Sequence, residues 1–160
     1  TPFRSAAELG TGIDMPSAPI GQLRRRLLRA LAAMDPKAPR LVVFGCDHGA
    51  AVAALAAPDV AVFSLLCTGQ LPPSFVEYAL HDGADGVLVT GCAGSSCEFR
   101  LGTLWTEPHL RAHVPREQLA IAWADPGDEA GPQAALQRLR RQISHATAAV
   151  APTATPVHEP

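Results

Sequence analysis

Aromatic side chains are scarce in this sequence, at 5% of its residues. That argues against an aromatic-rich β-sandwich. The apolar share of 48% is dominated by Ala, which favours close packing of helices on a sheet. No charge of one sign prevails either. A net charge of −2 leaves no electrostatic footprint for nucleic acid, whose phosphates demand clustered Lys and Arg. No apolar run approaches the ~20 residues that cross a bilayer, and no signal-peptide core opens the chain. A Gly-x-Gly-x-x-Gly fingerprint after the first apolar run is missing, as is any evident nucleophile–base pair. Cysteine occurs at four positions only: Cys46, Cys67, Cys92 and Cys97.

What is present has a regular order. With 160 residues the chain has room for one α/β core. Residues 1–18 are rich in Pro, Gly and Ser and read as a linker. From Ile20 to Met34 the apolar positions Leu23, Leu27, Leu31 and Met34 share one helical face, with arginines around the rest. Pro36 and Pro39 end that segment. Together these give residues 1–36 as linker and amphipathic helix.

Alternation then begins. Leu41–Phe44 reads as a buried strand running into Gly45-Cys46, and the Ala-rich stretch His48–Ala57 reads as a helix stopped by Pro58. Val60–Leu66 is a second strand ending at Cys67. Pro72 and Pro73 open a helix running to about His81, with Phe75, Ala79 and Leu80 inward and Gly83 just past its end. Val87–Thr90 is the third strand, and Thr106 is expected to cap a short helix with Pro108 near its start. Leu119–Trp123 is the fourth strand. Asp128 is expected to cap a last helix whose core face is Leu136, Leu139, Ile143 and Ala146. Such alternation implies an α/β domain over residues 40–147, with a four-stranded parallel sheet in a flavodoxin- or Rossmann-like three-layer arrangement. The expected strand order is 2-1-3-4, with the N-terminal helix as an extra element. Residues 148–160, rich in Ala, Pro and Thr, read as a disordered tail.

Every cysteine follows an apolar run. In open parallel sheets, sites form at the carboxyl ends of the strands, where the winding reverses. The order 2-1-3-4 would therefore bring Cys67, Cys46 and Cys92 side by side, and Cys97 returns through a short Gly- and Ser-containing loop. Four thiolates suit an iron–sulfur cluster and also a structural zinc site. Twenty, twenty-four and four residues separate them, leaving one close pair where zinc ribbons usually have two. Metal-free thiol redox work, or four small core residues, remain as further readings. Four thiols without a secretory signal point to a reducing, cytoplasmic setting.

The set Cys67-Thr68-Gly69, Phe75, Asp82 through Val89, and Gly91-Cys92 with Cys97 resembles the delta subunit of methyl-viologen-reducing hydrogenase. Gly102 and Trp123 add to the likeness, which runs from about Arg40 to Trp123. That family is an iron–sulfur one, also found beside heterodisulfide-reductase-like flavoproteins. The resemblance implies one [2Fe–2S] cluster and a non-catalytic electron-transfer domain or subunit of an oxidoreductase complex. Its partners would be a ferredoxin-type cluster domain and a flavin- or cluster-bearing redox protein. Implied ligands are Cys46, Cys67, Cys92 and Cys97, with the close pair on one iron and the two separate cysteines on the other. The sequence departs in its first loop, where Gly49 stands at the position of a further cysteine usual in the family. His48 is the nearest substitute ligand should a cysteine not bind. Thr1-Pro2-Phe3-Arg4 is similar to the residues after the last Cys-Pro of a bacterial dicluster ferredoxin. The chain would then be the C-terminal domain of a larger electron-transfer protein, at the cytoplasmic face of a membrane if that parent is anchored.

Other readings compete. A metal-free thiol redox or zinc-stabilised interaction module on the same fold is the main alternative, and an FMN binder is a third class. Asp47, Asp85 and Glu98 are expected near the site, Trp105 and Trp123 in packing roles, and Arg100 as solvated charge. His81, His109, His113, His145 and His158 are expected at the surface.

Overall fold

Leu41–Cys46 (β1) is buried along its whole length because both of its faces are covered. It pairs in parallel with Val60–Leu65 (β2) on one side and Gly86–Gly91 (β3) on the other, and β3 pairs with Leu119–Trp123 (β4). The strand order is 2-1-3-4, as expected from the sequence. The structure is a computed structural model and describes residues 19–94, 96–99 and 102–150. The expected N-terminal linker, Arg100, His158 and residues 151–160 of the expected tail lie outside the described residues, while residues 148–150 of that tail are helical.

Three helices cover one face. They are Ile20–Ala32 (α1), Pro73–His81 (α2) and Gly102–His113 (α3). Leu23, Leu27 and Leu31 of α1 and Phe75, Val76 and Ala79 of α2 close on Val42, Phe44, Phe63, Val87 and Val89. Phe44 lies at the centre, with ring centroids 5.6 Å from Phe63 and 5.8 Å from Phe75. The other face is covered by Ala130–Val150 (α4), through Ala135, Leu136, Leu139 and Ile143. Arg140 anchors that helix, donating from Nε and Nη2 to the carboxylate of Asp59, which directly precedes β2. Among the described residues, no helix is long and apolar enough to cross a membrane.

Three local expectations fail. Residues 48–57 form no α-helix; they bend through a single 3-10 turn at Ala53–Leu55. Helix propensity gives way to packing there. Val52 and Leu55 are pressed onto the sheet, so closely that a side-chain carbon at Gly45 would stand 2.5 Å from Val52 Cγ2. The N–H of Ala50 is taken by the carbonyl of Ala124 at 3.1 Å. Thr106 does not cap α3, which begins at Gly102; its hydroxyl donates to the Gly102 carbonyl at 2.6 Å, and Pro108 lies inside the helix. Ala146 is exposed, because α4 passes the amino edge of the sheet at Arg140, and Ile143 is the last buried one among its described side chains. Asp128 does cap: its Oδ1 accepts from the N–H of Gly131 at 3.3 Å.

Candidate metal centre

The register of the sheet gathers the thiols. Cys46 ends β1 opposite Leu65, Cys67 lies two residues beyond β2, and Cys92 lies one beyond β3. Cys97 returns to them, and all four are buried and free of disulfides. Cys46 Sγ lies 3.8 Å from Cys92 Sγ and 3.5 Å from the carbonyl oxygen of Leu66. That separation matches two thiolates on one tetrahedral metal with bonds of about 2.3 Å. The first residue of α3 completes the enclosure without a side chain. A carbon added at Gly102 would stand 3.4 Å from Cys97 Sγ and 3.6 Å from Cys67 Sγ.

The tight pair is therefore Cys46 with Cys92; Cys97 clusters with both, and Cys67 and Cys97 both border the space that Gly102 leaves open. Among the described residues, no three His, Cys, Asp or Glu side chains are placed to hold a single ion. A group that spreads its thiolates over more than one metal fits this donor set better than one ion does. The sequence neighbours Cys92 and Cys97 do not form the tight pair; Cys46 takes that place beside Cys92.

Burial makes Cys92 and Cys67 weaker acids. Desolvation, then the hydrogen bond and charge of Cys46 and the charge of Cys97, push Cys92 up to about 12. Desolvation also raises Cys67, against the lowering effect of the Gly69 and Gln70 backbone N–H groups. Both groups are thus protonated in the metal-free protein at neutral pH, and metal loading expels protons. The sign for stability follows. Below the ordinary thiol value of 9.0 both folded and unfolded states hold the proton. As pH rises from there toward about 12 the unfolded chain ionises first, so the metal-free fold loses stability. We expect urea midpoints of metal-free protein to stay level from pH 7 to 9 and fall from pH 9 to 10.5, with a shallower fall in Cys92→Ser. A slope unchanged by that substitution would contradict the placement of Cys92.

Side chains at the loop ends hold the thiol-bearing segments together. Asp125, two residues past β4, accepts the N–H of Ala93 at 3.0 Å and the hydroxyl of Ser96. Asp47 accepts the Ser64 hydroxyl, and His48 Nδ1 lies 3.2 Å from Glu98 Oε2. His48 thus braces the first loop against the third. Sequence reasoning missed Asp125. Its only signal was an acidic residue just beyond the carboxyl end of the fourth strand. We expect Asp125→Ala to release a cluster to chelator roughly 10- to 100-fold faster, as loss of an outer-shell partner does. Absorbance decay under a chelator measures it.

Other expectations shift. Asp85 is not near the thiols. It precedes β3 at the opposite edge of the sheet, where it accepts the N–H of Arg40 at 2.8 Å. Trp105 is no packing residue, being 59% exposed. Trp123 is anchored by its Nε1–H to Glu107 Oε2 at 2.7 Å, and this bond, with that from Arg111, holds the Glu107 carboxyl below its usual range. His81, His109, His113 and His145 are exposed.

Comparison with known proteins gives concordant findings. A family model described as methyl-viologen-reducing hydrogenase, delta subunit, matches residues 41–145. The iron-sulfur subunit of the F420-non-reducing hydrogenase vhc from Methanococcus voltae is 32% identical over 92 residues, 52% of this chain and 64% of that protein. The iron-sulfur subunit of the F420-non-reducing hydrogenase from Archaeoglobus profundus is 42% identical over 45 residues, 28% of this chain and 33% of its own. A third relative belongs to the ferredoxin:CoB-CoM heterodisulfide reductase of Methanosarcina mazei and is 31% identical over 107 residues. These are 62% of this chain and 13% of the reductase polypeptide. The chain thus covers less than two thirds of each relative's length.

Proposed function

Because the chain belongs to the family of the methyl-viologen-reducing hydrogenase delta subunit, we propose that it carries one [2Fe–2S] cluster and passes single electrons between redox partners. The observation that carries this reading is the gathering of four buried thiols at the carboxyl edge of the sheet, with Cys46 and Cys92 at 3.8 Å by sulfur. Cys46 and Cys92 would hold one iron, and Cys67 and Cys97 the other. Bound there, the cluster supplies a reversible one-electron site. The chain's own contribution is position and environment. Asp125 fixes the Cys92–Cys97 loop, Gly102 leaves room beside two sulfurs, and burial keeps water from the thiolates. His48 is occupied with Glu98, which leaves the four cysteines as the ligand set.

Residues 40–147 would form the cluster-bearing unit, acting as a domain or subunit of an oxidoreductase complex rather than as a catalyst by itself. The likeness to free-standing subunits and to a small part of a reductase chain supports that modular role. Partners of the expected kind, a ferredoxin-type cluster domain and a flavin- or cluster-bearing protein, would approach from the thiol edge. There Leu66, Phe99, Leu104 and Trp105 stand exposed beside the cysteines. A cytoplasmic setting suits the free thiols.

Anaerobically prepared protein is expected to be brown, with about two irons and two sulfides per chain and an EPR signal on reduction. Colourless protein after anaerobic reconstitution would overturn the reading. Zinc at about one per chain, with no sulfide, would favour the zinc-stabilised alternative.

A further inference from the structure

Gly49 occupies the loop position at which the resemblance drawn from the sequence leads one to expect a further cysteine, and the structure shows what fills the space. The residue is buried, and its backbone rests directly on the peptide that carries Cys92. A side-chain carbon at position 49 would lie 3.0 Å from the Gly91 carbonyl carbon, 3.1 Å from Cys92 N and 3.2 Å from Ala124 O. All three contacts are backbone atoms at strand ends. They have no flexible side chain to swing away.

Hydrogen bonds tie the same atoms together. The N–H of Gly49 donates to the carbonyl of Cys46 at 3.0 Å, and that of Ala50 to Ala124 at 3.1 Å. Ala124 in turn donates to the carbonyl of Gly91 at 2.8 Å. The turn after Cys46 is thereby fastened to the peptide before Cys92, and the two sulfurs stand 3.8 Å apart.

We propose that Gly49 is a positioning residue that sets the Cys46–Cys92 sulfur spacing, and that the backbone contact which does so excludes any thiol from position 49. The missing cysteine is then no gap in the ligand set. The first and third loops have closed over its place, and the site is built for four thiolates alone. This inference rests on the cluster reading above only for its consequence, since the contacts that set the spacing are made by backbone atoms.

Gly49→Ala adds a single methyl group at the contact. Gly94→Ala is its control, because among the described residues a carbon there meets only Thr103 Oγ1 at 3.9 Å. Two readouts apply. In metal-free protein, diamide joins Cys46 to Cys92 by taking two electrons and two protons from the thiols, and peptide mass spectrometry follows the disulfide. In reconstituted protein, the reduced EPR spectrum and chelator-driven cluster loss report the ligand pair. We expect Gly49→Ala to slow disulfide formation, change the EPR anisotropy and hasten cluster loss roughly tenfold. Gly94→Ala should match wild type throughout. Circular dichroism of metal-free Gly49→Ala should be that of wild type; a variant that fails to fold assigns the glycine to folding and overturns the proposal. So does a variant with wild-type trapping rate and spectrum. Wild type that takes no cluster, yet shows the predicted difference in trapping, would sink the cluster reading and leave this one standing.

Discussion

Cys92→Ser is expected to give a folded protein that cannot keep its cluster. Cys92 is one of the closest-set thiols, 3.8 Å from Cys46 by sulfur and flanked electrostatically by Cys97. Loss of a direct ligand should weaken metal binding by more than the roughly 10- to 100-fold that an outer-shell partner costs. Folding should survive. Cys46, Cys92 and Cys97 form a small cluster of their own apart from the two apolar cores, and a buried hydroxyl costs about 1–3 kcal/mol. The expected variant is colourless with wild-type circular dichroism and with iron well below the wild-type content. A brown variant with full iron and an unchanged EPR spectrum would remove Cys92 from the ligand set.

Phe44→Ala should do the reverse, damaging the fold first and the site as a result. Its side chain is fully buried and stacks on Phe63 while meeting Phe75 edge-on. Truncating such a ring costs about 3–5 kcal/mol through lost transfer energy and the cavity left behind. Against a typical domain stability of about 5–15 kcal/mol, that is a large fraction. The melting temperature should fall by about 10–20 °C. Phe44 is two residues ahead of Cys46 on the same strand, so cluster retention should fall only as far as unfolding does. A variant with the wild-type melting temperature would mean that the face between β1 and α2 closes by some other packing.

These two substitutions separate what local pattern encodes from what assembly decides. Continuous apolar runs at Leu41–Phe44, Val60–Leu66 and Val87–Thr90 were legible because a strand covered on both faces has no polar position to hide. Helices α1 and α2 were legible from period and from paired prolines. The Ala-rich stretch after Cys46 misled because helix propensity is a weak prior, and Val52 seated over Gly45 outweighs it. Asp85 misled because residues on either end of a strand look alike in sequence, although one end faces the thiols and the other does not. Asp125 was silent because its partners, Ala93 and Ser96, belong to a different loop.

Sequence by itself determined that four thiols follow buried strands of a parallel α/β sheet, and the alternation of elements was enough to order them 2-1-3-4. Only the tertiary structure decided which thiol stands beside which. Chain proximity pairs Cys92 with Cys97; strand register and the close approach at Gly49 pair it with Cys46. The physical reason is that strand spacing and backbone contact set sulfur distances across the sheet, and neither is written in the number of residues between cysteines.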